Sequence, residues 1–189
     1  MTPFQPSSYG PVIASILGES RLMPLGPGNS NMKVKSQLQA LTVEQAFGGQ
    51  AIQDQDMAKC CLAGLWLYHD FLDESHTLSQ EIHPNTGSYW HGIMHRREPD
   101  YANAKYWFRR VGDHPVFRAL AVDAKEIAAG DSAGSAKFLT RQSSWDPFAF
   151  IDLCEEATGS PLEMLCRQVQ QREWELLFDF SYLQALGRE

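Results

Sequence analysis

The chain has 189 residues, of which 43% are hydrophobic and 21% charged, which fits one globular domain and excludes a disordered or fibrous protein. The net charge of −7 excludes a general attraction to nucleic acid or anionic membranes. The most apolar run, Cys60 to Tyr68, is shorter than the roughly 20 residues that cross a bilayer, and Met1 to Ser20 lacks the pattern of a secretory signal. We therefore expect a cytoplasmic protein without nucleic-acid or membrane partners.

Turn-forming residues dominate the beginning of the chain. Pro, Gly and Ser are frequent in the first 35 residues, and a turn-dense run from Leu25 to Asn31 follows a short helix predicted near Val12 to Leu17. We expect residues 1–35 to form an irregular arm that packs on a single helical domain, residues 36–189.

Capping residues and helix breakers divide the rest of the chain into helices. Thr42 and Gln45 have the spacing of a capping box, and a long helix is predicted from about Asp56 to Glu81, before Pro84. Further helices are predicted at Asn85 or Thr86 to Arg97, Tyr101 to about Arg110, Pro115 to Ala129, Asp146 to Gly159, and Ser160 to near Gly187. Few runs alternate with period two, so we expect an all-α, compact single-domain bundle of about six to eight helices.

The four cysteines do not have the spacing of a zinc knuckle or of a disulfide framework. Cys60 and Cys61 are adjacent in an apolar stretch, and Cys154 and Cys166 lie far downstream. We expect reduced thiols that are mostly buried.

The predicted long helix carries polar side chains on one stripe of an otherwise apolar surface. At a period of 3.6 residues the stripe contains Leu62, Leu65, His69, Asp73, His76 and Gln80. Because burial of polar groups is costly without partners, a buried polar stripe points to a functional site. The alternative is that the second half of the helix lies in solvent, with His69 and Asp73 as an exposed pair.

The next helix supports a metal site. His91 and His95 have the i,i+4 spacing at which two imidazoles reach one metal ion, and Glu98 returns to the same side. Asp73 and His76 have the D-x-x-H spacing of ligand helices in helical metal proteins. Together they predict a divalent metal, zinc, iron or manganese, held by His76, His91 and His95.

Two other interpretations of this segment stay open. Its cationic residues, interleaved with aromatic ones, are suited to a phosphate or carboxylate ligand, with a histidine as general acid or base and no metal; these cations are Arg96, Arg97, Lys105, Arg109 and Arg110. Alternatively, Arg96 and Arg97 pair with Glu98 and Asp100 as a structural network at the turn around Pro99.

The stretch from Ser75 to His114, with YWHGIMHRREPD followed by NAKYWFRRVGDHP, resembles a signature of uncharacterised hypothetical proteins. Because no activity is attached to that signature, the resemblance implies no functional residues.

These patterns predict a small helical enzyme acting on a small polar or anionic substrate, by hydrolysis or oxidation if a metal is bound. The predicted catalytic residues are His76, His91, His95 and Glu98, supported by Asp73, and the predicted substrate-binding residues are Arg97, Asn103, Lys105 and Arg109. The alternatives are a non-catalytic binding protein for a phosphorylated or carboxylated small molecule, and an interaction subunit that uses an apolar face of the last helix, with Trp174, Leu177, Phe178 and Tyr182.

Overall fold

The computed structural model describes residues 1, 3–18, 20–130 and 136–188, and within these ranges the fold is all-α. Eleven α-helices follow a 3-10 helix, Pro6–Tyr9: α1 Pro11–Ile16, α2 Lys35–Ala40, α3 Val43–Ala46, α4 Gln55–Tyr68, α5 Leu72–Ser79, α6 Asn85–Arg97, α7 Tyr101–Val111, α8 Val116–Ala128, α9 Lys137–Arg141, α10 Pro147–Ala157 and α11 Glu163–Ala185. The predicted fold class is confirmed. The helix count exceeds the expected one because several helices are short and the predicted long helix is divided.

Local capping explains several of the helix starts. The Thr42 hydroxyl accepts from the Gln45 backbone N–H at 3.3 Å, while the Gln45 side chain accepts from the Thr42 N–H at 3.0 Å. Carboxylates of Asp54, Asp100 and Asp146 accept from the free N–H groups of the first turns of α4, α7 and α10. Each cap satisfies backbone donors that have no partner inside the helix.

The predicted helix from Asp56 to Glu81 is wrong, because the chain leaves the helix at His69. Asp70 has a φ of 63°, in the left-handed region that ends an α-helix. Its carboxylate binds both Arg21 and Arg97, and these distant partners stabilise the break. The polar stripe therefore does not continue: His69 is buried against the Ile16 carbonyl, and Asp73 is exposed.

The core forms around α4, α6 and α11. Trp90 of α6 packs against Gly64 of α4, where an added Cβ would lie 2.8 Å from the indole. The Trp174 indole of α11 donates to the Gly64 carbonyl at 2.9 Å. The apolar face of the last helix is buried and forms part of this core; it contains Trp174, Leu177, Phe178 and Tyr182. All four cysteines are free and buried, as expected.

The N-terminal residues contribute to this core. Tyr9 packs edge-on against Phe178 and Tyr182, with ring centroids 5.1 and 5.0 Å apart, and Ile13 and Ile16 are buried.

None of the described helices combines the length and apolarity needed to cross a membrane.

Helices α6 and α7 form a helical hairpin, and a glycine of α6 lets the two helices pack closely. An added Cβ at Gly92 would lie 2.8 Å from the ring of Phe108, so the absent side chain lets α7 approach α6. The hairpin turns at Glu98 to Asp100, where the Asp100 N–H bonds the His95 carbonyl at 3.0 Å. This turn places residues of α7 beside the histidines of α6.

Candidate metal centre

Three histidines from two helices meet beside this hairpin. His76 lies on α5, and His91 and His95 lie one turn apart on α6. One ring nitrogen from each lies within 4.8 Å of those of the other two. The ring centroids are 4.6 Å apart for His91 and His95, and 4.7 and 5.2 Å for the contacts of His76 with them. We refer to His76, His91 and His95 as the histidine cluster.

The two α6 histidines point one nitrogen inward and hold the other in a hydrogen bond. Their Nε2 atoms lie 2.9 Å apart. On the outer side, His91 Nδ1 lies 2.9 Å from the Ser79 hydroxyl, and His95 Nδ1 lies 3.1 Å from Glu98 Oε2. A carboxylate or hydroxyl on the outer nitrogen is the arrangement that orients metal-binding imidazoles.

The 2.9 Å approach of the two Nε2 atoms allows two protonation patterns. In one, the Ser79 hydroxyl donates to His91, His91 Nε2–H donates to His95, and His95 Nδ1–H donates to Glu98. In the other, both histidines carry their proton on Nδ1, with Ser79 and Glu98 as acceptors. The two Nε2 lone pairs then face each other, with the Asn103 amide nitrogen 3.1 Å from that of His95. A cation between the two Nε2 atoms would stabilise this arrangement.

Burial keeps the imidazoles of α6 neutral. It lowers the pKa of His91 to about 3, with smaller contributions in the same direction from His95 and His76. Burial also lowers the pKa of His95, against the opposing effect of Glu98. Because a metal binds the neutral imidazole, these groups need not lose a proton to bind one near neutral pH.

Side chains of α7 form one wall of the cluster. The Asn103 amide nitrogen lies 3.1 Å from His95 Nε2, and the Trp107 ring centroid lies 4.2 Å from that of His91. Asn103, Trp107 and His76 are half-buried, whereas His91 and His95 are buried. The cluster is therefore shielded from most directions and reaches solvent on the side of His76 and Asn103.

The two arginines that follow His95 are structural. Arg96 is buried, ion-paired with Glu173, and packed over the Phe150 ring with its guanidinium carbon 4.8 Å from the centroid. Arg97 is buried, ion-paired with Asp70, and donates to the Gly26 carbonyl at 3.2 Å. Neither pairs with Glu98 or Asp100 among the described residues, so the structural interpretation named the wrong partners.

Of the other predicted site residues, some lie at the histidine cluster, and the rest lie in the core or at the surface. Glu98 and Asn103 join the histidines, whereas Arg97 is committed to Asp70. Lys105 forms an ion pair with Asp152 of α10, and Arg109 and Asp73 are exposed. His114, another histidine of the same stretch, is buried with its Nε2 3.1 Å from the Thr86 hydroxyl.

Ser79 belongs to the site although the sequence interpretation did not include it. It lies three residues after His76, so both occupy neighbouring turns of one face of α5. The H-x-x-S spacing of His76 and Ser79 is the sequence pattern that could have indicated this residue. The pattern is weak, because serine is common in helices and the partner of Ser79, His91, lies on another helix.

Comparisons with known proteins add no relative. The chain matches no family model, no curated protein and no solved structure.

Proposed function

We propose that the histidine cluster binds one divalent metal ion and that the protein is a small helical metalloenzyme. The observation that carries the proposal is the approach of the His91 and His95 Nε2 atoms to 2.9 Å, with both Nδ1 atoms held from outside and His76 beside them. Three imidazoles of this kind leave a coordination position for water or substrate, as in catalytic rather than structural sites.

The spacing of the two α6 histidines is close to what a metal requires, and a ring nitrogen of His76 lies within 4.8 Å of theirs. Tetrahedral zinc with Zn–N bonds of about 2.0 to 2.1 Å holds two ligand nitrogens about 3.3 Å apart. The Nε2 atoms therefore need to separate by only a few tenths of an ångström. An all-imidazole ligand set suits zinc or iron better than manganese, which prefers oxygen ligands.

Hydrolysis is the chemistry that this ligand set supports best. A zinc ion held by His76, His91 and His95 would supply the activation of a water molecule near neutral pH, because zinc lowers the pKa of bound water to about 7. This chemistry would suit hydrolysis at an electrophilic carbon or phosphorus of a small polar substrate. Asn103, at the half-buried edge of the cluster, would orient the substrate by hydrogen bonding. With iron the same ligands would support oxidation instead.

The metal itself is the first test. Purified protein should contain or take up about one equivalent of zinc, and cobalt substitution should give the absorption of a site with nitrogen ligands. His91→Ala and His95→Ala should lose this metal, whereas His83→Ala, an exposed histidine outside the cluster, should retain it. Folded protein that takes up neither zinc, iron nor cobalt would refute the proposal.

A metal-free acid–base site is the second candidate. It is favoured by the same 2.9 Å distance, which is also that of a hydrogen bond. A chain from Ser79 through His91 and His95 to Glu98 could move a proton between the buried interior and the exposed edge. NMR of the metal-free protein would distinguish the two, because a hydrogen bond between the rings puts one Nε2 proton between His91 and His95.

A further inference from the structure

A cleft between α8 and the connector from α9 to α10 lies apart from the histidine cluster. The cleft has a volume of about 720 Å³, within the range of small-molecule sites. One wall is α8, and the other contains Ser143, Ser144 and Trp145. No member of the histidine cluster lines it.

The α8 wall carries two cations on one face. Arg118 and Lys125 are seven residues apart, so they lie two helical turns, or about 10 Å, from each other along the same side. Ala121 and Val122 lie between them, and Val122 is 56% exposed. Neither cation forms an ion pair with a described residue, although Asp113 lies at the end of the cleft. The wall thus combines an apolar strip with positive charge, in a chain whose net charge is −7.

The opposite wall holds buried donors that have no acceptor in the part of the chain that the structure describes. The indole Nε1 of Trp145 and the side-chain Nε2 of Gln142 are buried, and neither has a hydrogen-bond partner among the described residues. Trp145 itself is only 5% exposed. Because an unpaired buried N–H costs free energy, such donors call for an acceptor. The Ser143 and Ser144 hydroxyls add further donors at the surface of the cleft.

We infer that this cleft binds a small molecule in which an oxyanion, a carboxylate or a phosphate, is attached to an apolar body. The oxyanion supplies opposite charge for Arg118 and Lys125. A small rotation of the Trp145 indole, whose N–H is shielded from solvent in this structure, brings that N–H to the oxyanion as its acceptor. The apolar body covers Val122 and packs against Phe117 and Phe148, which also line the cleft. A purely polar anion would leave the apolar strip exposed, and a neutral apolar molecule would leave the donors unpaired.

Binding can be tested with four probes: octanoate, octyl phosphate, 1-octanol and inorganic phosphate. The readout is the NMR signal of each tryptophan indole N–H group. The chain has five tryptophans, and Trp145→Phe identifies the Trp145 signal by its disappearance. Octanoate or octyl phosphate should move that signal downfield, as expected for a new hydrogen bond to an oxyanion, and whichever binds more tightly identifies the head group. 1-Octanol and inorganic phosphate should bind at least tenfold more weakly.

The cations provide a second measurement with a matched control. Arg118→Gln and Lys125→Gln should each raise the Kd of the better probe about two- to fivefold, the size of one exposed ion pair. Lys59→Gln, which removes an exposed charge on α4, should leave the Kd unchanged. Equal binding of 1-octanol, an unmoved Trp145 signal, or an equal Kd for all three variants would overturn the inference.

Discussion

The Nε2 atoms of His91 and His95 lie 2.9 Å apart, although each imidazole is also held from its other side. Ser79 and Glu98 hold the two Nδ1 atoms, so neither ring can rotate without losing a hydrogen bond. This arrangement sets the geometry of the proposed metal centre before any ion binds.

The outer partners should therefore control metal affinity. Ser79→Ala and Glu98→Gln should each weaken zinc binding about 10- to 100-fold, because they release the ring orientation and the tautomer of the ligand. The measurement is a chelator competition with zinc. Ser75→Ala is the matched control, since its buried hydroxyl donates to the Ala63 carbonyl instead; an equal loss in that variant would contradict a specific role for Ser79.

The ion pair of Asp70 with Arg97 should be worth much more to stability than an ion pair at the surface. Asp70→Asn leaves the buried Arg97 guanidinium without its counter-charge, together with that of the partly exposed Arg21, and should lower the free energy of unfolding by about 3 to 5 kcal/mol. Asp152→Asn, which removes the more exposed pair with Lys105, should cost less than about 1 kcal/mol. Urea unfolding of both variants checks this, and similar losses would contradict it.

Acid should destabilise the metal-free fold through its buried histidines, two of which, His69 and His114, lie outside the histidine cluster. Burial lowers the pKa of His114 to about 4, and burial followed by Arg21 lowers that of His69 to about 4. Below pH 6.5 the unfolded chain binds protons at these residues that the native state does not bind, so stability falls as the pH drops toward 4.

His69 and His114 should each lower the free energy of unfolding by roughly 1 to 2 kcal/mol between pH 6.5 and 4.5. The measurement is the free energy of unfolding across this range for the metal-free protein. His114→Gln should have a shallower pH dependence than the unmodified chain, and an identical slope would exclude His114 as a contributor.

The α6–α7 hairpin should not tolerate a side chain at Gly92. Gly92→Ala places a Cβ against the Phe108 ring and should cost about 1 to 3 kcal/mol, as overpacking does. It should also weaken metal binding, since α7 carries Asn103 and Trp107 against the cluster. Gly130→Ala, whose Cβ would meet no atom closer than 4.0 Å, should unfold at nearly the same urea concentration as the unmodified chain.

Much of the helical architecture was predictable because its signals are local. The capping box at Thr42 and the aspartate caps at Asp100 and Asp146 involve residues two or three positions apart, and the structure contains all three. The pairing of His91 and His95 was equally predictable, because one turn of α6 brings their rings together. Glu98 joined them for the same reason, being only three residues from His95.

The partners of the charged residues were not predictable, because they come from distant parts of the chain. Arg96 binds Glu173 and Arg97 binds Asp70, whereas the sequence suggested carboxylates of the adjacent turn. Both arginines are fully buried, and only the packing of α4, α6 and α11 decides which carboxylates are buried with them. The donors of Trp145 and Gln142 likewise became visible only when the α8 cleft was in place.

By itself, the sequence determined where most helices begin and end and that His91 and His95 share one face, since helix caps and i,i+4 contacts depend on neighbouring residues alone. Tertiary structure decided that the predicted long helix ends before Asp70 and that His76 turns toward α6. It also decided that Arg96 and Arg97 stabilise the core. These outcomes depend on ion pairs and packing between residues tens of positions apart, which have no local pattern.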